Sequence, residues 1–280
     1  MLLDKGFIDS TKKIGFDGVE LNTDQNYAED RLHDFKKASL IKEESIIQKI
    51  EIHSISISAI RDFDFYFANK NEFFSILKIV NHISKVGSKI GAKYLMFPFF
   101  RINHKTIKKR LTIDRIRQLV NIAKSNNIKI AIESFLSPND LLDLLHQINS
   151  DFLKICFDVG IATACNYELF NSIIKLKDKI GYFHIKDSNC LITSKNVNAD
   201  FSLLQKLRTN SIVNNSSIIN GGSYWNVPLG KGDVDFSAIK KALKLINYKG
   251  FLILETQPRN NPIRNAKLNL SLLKGFISSL

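Results

Sequence analysis

The chain has 280 residues, of which 44% are hydrophobic and 24% are charged, with 13 Gly and 5 Pro. These values are typical of a packed globular protein and exclude a collagen-like, low-complexity or intrinsically disordered chain. The 40 basic and 27 acidic residues give a net charge of +13, which would suit an anionic partner such as nucleic acid or a phosphorylated substrate. The excess is mainly lysine spread along the chain together with many Asn and Ile, a bias that codon composition can produce as easily as binding.

The length predicts a single large domain over residues 1–280. No apolar run approaches the roughly 18 residues that a membrane helix needs, and the first residues lack the apolar core of a signal peptide. Three scattered cysteines, Cys156, Cys165 and Cys190, argue against a disulfide framework and agree with a reducing compartment. We therefore expect a non-exported, cytoplasmic protein with no membrane partner.

Short apolar, β-branched or aromatic runs recur at even spacing, and segments of helical periodicity lie between them. The runs that predict strands are residues 18–21, 52–58, 92–98, 128–134, 153–159, 180–187 and 251–256. Helices are predicted between them, for example over residues 72–88 and 113–124. This alternation predicts parallel strands joined by right-handed crossovers.

The alternation leaves a choice between an open sheet and a closed barrel. No Gly-rich phosphate loop follows any predicted strand, which removes the main support for an open nucleotide-binding sheet. We therefore predict an α/β fold, a (β/α)8 TIM barrel. Residues 1–4 run almost directly into a helix candidate at residues 5–14, so the first strand is expected to be missing or shortened. A seven-stranded sheet would expose two edges unless a partner, a distortion or an N-terminal extension covered them.

Acidic or histidine side chains stand at the C-terminal ends of four predicted strands. In the run 128–133, the isoleucines at 128, 130 and 132 have the parity opposite to Glu133. The same split separates Asp158, His184 and Glu255 from their apolar neighbours. Alternate residues of a barrel strand point inwards, and barrel enzymes place their sites at the C-terminal rim. The four side chains are therefore predicted to face one site.

Two Glu, one Asp and one His form an oxygen-rich ligand set that suits one divalent ion, Mn²⁺, Mg²⁺, Co²⁺ or Zn²⁺. An ion that binds a hydroxyl and a carbonyl oxygen of a polyol lowers the cost of removing the neighbouring carbon-bound proton, provided that a carboxylate lies within reach. We predict that Glu133 and Glu255 are both ligands and acid/base groups, whereas Asp158 and His184 mainly hold the ion.

Six short motifs occur in a characteristic order. They are GFDGVEL at residues 15–21, IES at 132–134, FDVG at 157–160, FHIKD at 183–187, PLGKGDVDF at 228–236 and GFLILE at 250–255. Together they resemble the xylose isomerase-like TIM barrels, from about residue 7 to about residue 257. That superfamily contains sugar phosphate isomerases and epimerases, ketose 3-epimerases, inosose dehydratases, 3-dehydroshikimate dehydratases and zinc apurinic endonucleases. The resemblance implies that Glu133, Asp158, His184 and Glu255 are the metal ligands.

The chain also departs from that family at substrate contacts. Ile161 stands where many members carry a His three residues after the metal-binding Asp, and Cys190 stands where ketose epimerases place a substrate-binding Arg. These departures weaken the sugar-epimerase prediction. Apurinic endonucleases need additional His ligands that do not occur here, so nucleic acid is not expected as a partner.

Further candidates for substrate binding are Glu20, Arg61, Arg101, His104, Lys186 and Trp225. Arg61, Arg101 and His104 follow strand ends on the predicted site face and could bind a phosphate or carboxylate. Glu20 has inward parity, Lys186 is assigned to the outer face of its strand, and Trp225 precedes the turn at Pro228. Residues 188–226, rich in Asn and Ser, are predicted to form a long loop insertion that acts as a lid or selects the substrate.

The leading hypothesis is a divalent-metal-dependent sugar or sugar-phosphate isomerase or epimerase, which acts on a small polyhydroxylated substrate by glutamate-mediated proton transfer. The alternative enzyme is a metal-dependent dehydratase of a cyclic polyol or polyol acid, of the inosose or 3-dehydroshikimate type. A third hypothesis is a non-catalytic relative that binds a ligand. Dimers are common in the family, which makes a homodimer a candidate assembly.

Overall fold

The computed structural model describes residues 6–23, 31–191, 216–219, 222–256 and 261–278. The chain divides into two compact units. The first comprises Met1–Ser134 and Asn139–Cys156, and the second comprises Phe135–Pro138 and Phe157–Leu280.

The first unit alternates helices and strands. In chain order its elements are α1 (Phe7–Ile14), β1 (Gly18–Asn22), α2 (Phe35–Gln48), β2 (Glu51–Ser56), α3 (Lys70–Ile90), β3 (Tyr94–Pro98), α4 (Arg110–Ser125), β4 (Lys129–Glu133), α5 (Pro138–Ile148) and the start of β5 (Leu153–Asp158). The strands pair in parallel in the order β1-β2-β3-β4-β5. Single-turn 3-10 helices follow β2 and β3, at Ser58–Ile60 and Thr106–Lys108.

Helix α3 shows how local sequence sets the bounds of an element. Oδ1 of Asn69 accepts hydrogen bonds from the backbone N–H groups of Asn71 and Glu72, and the Glu72 carboxylate accepts one from the Asn69 N–H. This capping box satisfies donors that the first helical turn leaves free. The helix ends at Gly91, whose φ of 87° is in the left-handed region that favours glycine. The predicted helix over residues 72–88 is confirmed, with two more residues at each end.

The same helix packs closely against the sheet of the first unit. A Cβ atom at Gly87 would lie 2.7 Å from Cδ1 of Ile128 and 3.3 Å from Cδ1 of Ile55, so the close approach requires glycine. Ile128 therefore faces the helical layer, as the parity predicted. Since successive side chains of a strand alternate between faces, Glu133 leaves β4 on the other side.

The second unit begins with the end of β5. Its further elements are α6 (Val159–Ala164), α7 (Leu169–Leu176), β6 (Ile180–Ile185), β7 (Asp187–Leu191), β8 (Ser216–Ile219), β9 (Gly222–Val227), α8 (Phe236–Leu245), β10 (Leu252–Leu254) and α9 (Pro262–Ile277). The parallel strands of this unit follow one another as β5-β6-β10. Strands β7, β9 and β8 form a separate antiparallel sheet in that order.

The seven predicted strands are all present, and the predicted parallel pairing is confirmed. The strand predicted over residues 180–187 ends at Ile185, and Asp187 begins β7 instead. The described part of the segment 188–226, predicted as a loop, contains β-strands. Pairing between these strands satisfies backbone N–H and C=O groups. The Asn- and Ser-rich composition of the segment does not indicate this pairing. The prediction of a missing first strand concerns residues 1–5, which lie outside the described residues.

The described helices are short or strongly charged. The longest, α3, has 21 residues and carries four lysines and a glutamate. None of the helices within the described ranges combines the length and the apolar character that crossing a membrane requires.

Candidate metal centre

Asp158 is the last residue of β5 and the N-cap of α6. Its Oδ1 accepts a hydrogen bond of 2.8 Å from the backbone N–H of Ile161, as N-cap side chains commonly do. This contact fixes the rotation of the carboxylate. Oδ2 then lies 3.9 Å from Nδ1 of His184. The Asp158 side chain is 1% exposed, so its charge requires a partner.

His184 and Glu255 are brought together by neighbouring parallel strands. His184 lies in β6 opposite Ile253 of β10, and Glu255 follows β10, where its backbone N–H donates to the carbonyl of Ile185. Nδ1 of His184 is 3.3 Å from Oε2 of Glu255. The His184 side chain is fully buried, whereas that of Glu255 is 48% exposed. The cluster is therefore accessible from the side of Glu255.

Lys186 completes this cluster. Its Nζ lies 2.6 Å from Oδ2 of Asp158 and 2.7 Å from Oε2 of Glu255, and its side chain is 7% exposed. The prediction that Lys186 faces outwards is wrong. Residues two apart along an extended strand lie on the same face, so Lys186 follows the side of His184.

The cationic neighbours determine the charge of Glu255. Partial desolvation raises the pKa of the half-exposed Glu255 carboxyl, but the charge of Lys186 and the interactions with His184 outweigh that effect and hold the pKa well below its usual range. Glu255 is therefore ionised at neutral pH. An ionised carboxylate is the form that binds a metal or accepts a proton.

Asp158, His184 and Glu255 fit a divalent cation. Each offers one ligand atom, and these atoms lie within 4.8 Å of one another. Two carboxylate oxygens and one imidazole nitrogen suit Mg²⁺, Mn²⁺, Co²⁺ or Zn²⁺.

Glu133, the fourth predicted ligand, ends β4 in the first unit. Glu133 is 3% exposed, and it lies opposite Pro98 of β3 in the paired strands. Its carbonyl accepts a hydrogen bond of 2.8 Å from the backbone N–H of Phe99. Its role as ligand and acid/base group stays a prediction.

Two further candidates of the first unit have protein partners. Oε2 of Glu20 accepts a hydrogen bond of 2.6 Å from Oγ of Ser54, which ties β1 to β2. His104 is exposed, and its Nδ1 lies 2.5 Å from Oδ1 of Asp140 on α5. These contacts give both side chains a structural role, and their binding of substrate stays a prediction.

Arg61 and Arg101 follow β2 and β3 and are half-buried. Nε of Arg61 is buried and has no hydrogen-bond partner among the described residues. In the second unit, Trp225 lies in β9 opposite Asn189 of β7, and its side chain lies outside the described part. Substrate binding by these residues also stays a prediction.

Asp187 is a structural residue that the sequence analysis missed. Its Oδ2 accepts hydrogen bonds from the backbone N–H groups of Lys231 and Gly232, and its Oδ1 accepts from those of Ser188 and Val234. The residue is 1% exposed, so this one carboxylate holds the loop before α8. The acidic residue next to Lys186 and the Gly-Lys-Gly sequence at 230–232 are the signals that could have indicated the contact.

The chain matches the family model described as xylose isomerase-like TIM barrel over residues 8–276. SgbU of Haemophilus influenzae is 25% identical over 265 residues, which cover 89% of this chain and 82% of that protein. UlaE of Mycoplasma pneumoniae is 22% identical over 273 residues, which cover 94% and 79% of the two chains. Both relatives carry the provisional name L-ribulose-5-phosphate 3-epimerase.

Solved structures are similar over nearly the whole chain. AsbF of Bacillus anthracis, described as a probable 3-DHS dehydratase, gives a TM-score of 0.71 at 16% identity and covers 98% of this chain and 94% of its own. An L-ribulose 3-epimerase gives a TM-score of 0.70 at 16% identity, and the match covers 97% of this chain and 88% of that chain. The IOLI protein with a bound zinc atom also gives 0.70 at 16% identity, with 97% and 91% covered. These likenesses confirm the predicted TIM-barrel fold.

Proposed function

Because the chain belongs to the xylose isomerase-like TIM-barrel family, we propose that it is a divalent-metal-dependent epimerase of a small ketose or ketose phosphate. The observation that carries the proposal is the convergence of Asp158, His184 and Glu255, whose ligand atoms lie within 4.8 Å of one another. The names of the two relatives support L-ribulose 5-phosphate as the first substrate to test.

Glu133 is the fourth ligand in this proposal. Within the first unit, Ile132 of β4 lies opposite Ile155 of β5, and β5 continues without a break to Asp158. Glu133 thus ends a strand whose parallel neighbour ends in Asp158, another proposed ligand. Its opposite parity to Ile128 and the family resemblance support the same role.

The proposed reaction moves protons between carbon and the two glutamates. A bound divalent ion would polarise the C2 carbonyl of the ketose and so acidify the C3 proton. One of Glu133 and Glu255 removes that proton, and the other returns a proton to the opposite face, which inverts C3. Glu255 suits such a role because it is ionised and 48% exposed. Asp158 and His184, whose side chains are buried, would hold the ion.

Arg61 and Arg101 are the proposed contacts for a substrate phosphate, because guanidinium groups bind phosphate oxygens through paired hydrogen bonds. The net charge of +13 favours the approach of such an anion. Glu20, His104 and Trp225 remain weaker candidates for the substrate's hydroxyl groups. A cytoplasmic location and a homodimer are retained as predictions.

The test is C3 proton exchange in D₂O. The Mn²⁺-loaded protein is incubated with L-ribulose 5-phosphate, and ¹H NMR follows loss of the C3 proton and formation of the C3 epimer, L-xylulose 5-phosphate. A chelator-treated sample and unphosphorylated L-ribulose are run in parallel. We expect metal-dependent exchange and epimer formation, faster with the phosphate. Absence of both with either sugar would contradict the proposal.

A dehydratase is the second candidate function, because AsbF is described as a probable 3-DHS dehydratase. The same ligands and the same proton abstraction would serve it, but the hydroxyl group would then take up a proton and leave as water, and no proton would return to carbon. Incubation with 3-dehydroshikimate, with ultraviolet absorbance reporting an aromatic product, separates the two functions. Product formation there without epimer formation from the ketoses would favour the dehydratase.

A further inference from the structure

Lys186 lies among the side chains that are assigned to the metal, and the proposed mechanism does not use it. We propose that Lys186 is a built-in counter-cation, which holds the carboxylates of Asp158 and Glu255 together in the metal-free protein and opposes the binding of the divalent ion. This inference rests on the proposed metal dependence.

The contacts show that the lysine and a metal would share the same oxygens. Oδ1 of Asp158 is already committed to the N–H of Ile161. Oδ2 is therefore the oxygen that remains for a metal, and it is the oxygen 2.6 Å from Nζ of Lys186. On the other side, Oε2 of Glu255 lies 2.7 Å from Nζ and 3.3 Å from Nδ1 of His184.

The local packing supports this placement of the lysine. A Cβ atom at Gly160 would lie 2.7 Å from Cγ and 3.2 Å from Cδ of Lys186. The first turn of α6 thus leaves space for the aliphatic part of the lysine. The ammonium group contacts the carboxylate of Asp158. A side chain at position 160 would have to displace the lysine or the neighbouring Oγ of Ser188.

Electrostatics gives the direction of the effect. In the absence of metal, removing the ammonium group leaves the Asp158 carboxylate buried with a second carboxylate nearby, which destabilises the folded state. In the presence of metal, the same ammonium group repels the divalent ion, because like charges at this separation and burial are poorly screened. Removal of Lys186 should therefore weaken the metal-free protein and strengthen metal binding. Generalised structural damage would weaken both.

The experiment compares wild-type protein with Lys186→Met, which keeps the aliphatic length and removes the charge. Lys244→Met on the exposed side of α8 is the matched control for loss of one lysine. Each protein is stripped with a chelator, and the affinity for Mn²⁺ alone is measured by isothermal titration calorimetry. Urea unfolding without metal is measured in parallel. We expect Lys186→Met to bind Mn²⁺ about tenfold more tightly or better and to unfold at lower urea, and the control to match wild type.

A second variant separates the loss of charge from the effect of substituting the lysine. Lys186→Arg retains the charge and should bind Mn²⁺ no more tightly than wild type. If Lys186→Met can be purified only with Mn²⁺ present, its release of Mn²⁺ to excess chelator should be slower than that of wild type.

Equal or weaker Mn²⁺ binding by Lys186→Met, with wild type binding the ion, would overturn the inference and leave the metal site intact. If Lys186→Met binds Mn²⁺ tightly and wild type does not bind it, the inference is supported, and the lysine takes the place of the metal in wild type. Absence of binding by both proteins would overturn the inference together with the proposed metal dependence.

Discussion

Oδ2 of Asp187 accepts a hydrogen bond of 2.8 Å from the backbone N–H of Gly232. A second N–H, that of Lys231, donates to the same oxygen over 3.0 Å. The contact joins the residue after Lys186 to the loop before α8. The position of the lysine in the candidate metal centre therefore depends on a loop more than forty residues further along the chain.

Asp187→Asn should destabilise the protein. If the amide oxygen replaces Oδ1, the amide nitrogen faces the N–H groups of Lys231 and Gly232, and two part-buried donors lose their acceptor. A fully buried donor without an acceptor costs about 1–3 kcal/mol, and we expect each of these part-buried donors to cost less than that. Urea unfolding measures the change in the free energy of unfolding, with Asp143→Asn at an exposed position of α5 as the control. Equal stability of the two variants would show that the loop does not depend on this carboxylate.

Gly232→Ala should disrupt the same contact from the other side. A Cβ atom at this position would overlap Oδ1 of Asp187 and lie 2.7 Å from the backbone oxygen of Ser188. Gly275→Ala in α9 is the control, because nothing lies within 4 Å of its Cβ position, and alanine stabilises a helix interior by about 0.5–1 kcal/mol relative to glycine. We expect a lower melting temperature for the first variant and an unchanged or higher one for the second. Equal melting temperatures would contradict the packing described.

The alternation of strands and helices was predictable because it depends on local patterns. Apolar residues on one face of α3 and the isoleucines of β4 recur with helical and extended periods, and the structure bears out both. The same parity placed Asp158 and His184 on the polar side of β5 and β6. Short-range periodicity therefore indicated where side chains leave their strands.

The remaining features depend on contacts between distant parts of the chain. Asp187 binds N–H groups 44 to 47 residues away, and no local pattern encodes that closure. The antiparallel sheet of β7, β8 and β9 likewise depends on pairing across a long segment. The error at Lys186 has a different origin: the i, i+2 rule places the lysine with His184, and the assignment of outward parity broke that rule.

His184→Ala should remove the bound metal. His184 is the proposed nitrogen ligand of the candidate centre and is fully buried, and alanine offers no donor atom in its place. The variant and wild type are loaded with Mn²⁺ and desalted, and metal content is measured by elemental mass spectrometry. His146→Ala, exposed on α5, should retain the metal content of wild type. Full metal retention by His184→Ala would remove this residue from the ligand set.

Glu255→Gln should strongly lower the rate of epimerisation and change the melting temperature little. The side chain is 48% exposed, so the amide can be solvated, but it can no longer take up a proton from carbon. Loss of an acid/base group typically lowers the rate by about 10²–10⁴-fold. The C3 exchange rate and the melting temperature are measured together, with the exposed Glu43→Gln of α2 as the control. An exchange rate close to that of wild type would exclude Glu255 as a proton carrier.

His53 should make the stability of the protein fall as the pH is lowered. Burial lowers the pKa of the His53 imidazole below its usual 6.5, although Glu51 opposes this shift. Nδ1 of His53 lies 3.2 Å from Oε1 of Glu51. The same oxygen also forms an ion pair with Lys93. As the pH falls through 6.5, the unfolded chain takes up a proton that the folded protein does not, so the free energy of unfolding decreases until the folded imidazole titrates. His53→Gln should flatten the pH dependence of urea unfolding in that interval. Identical slopes in the two proteins would show that His53 is not responsible.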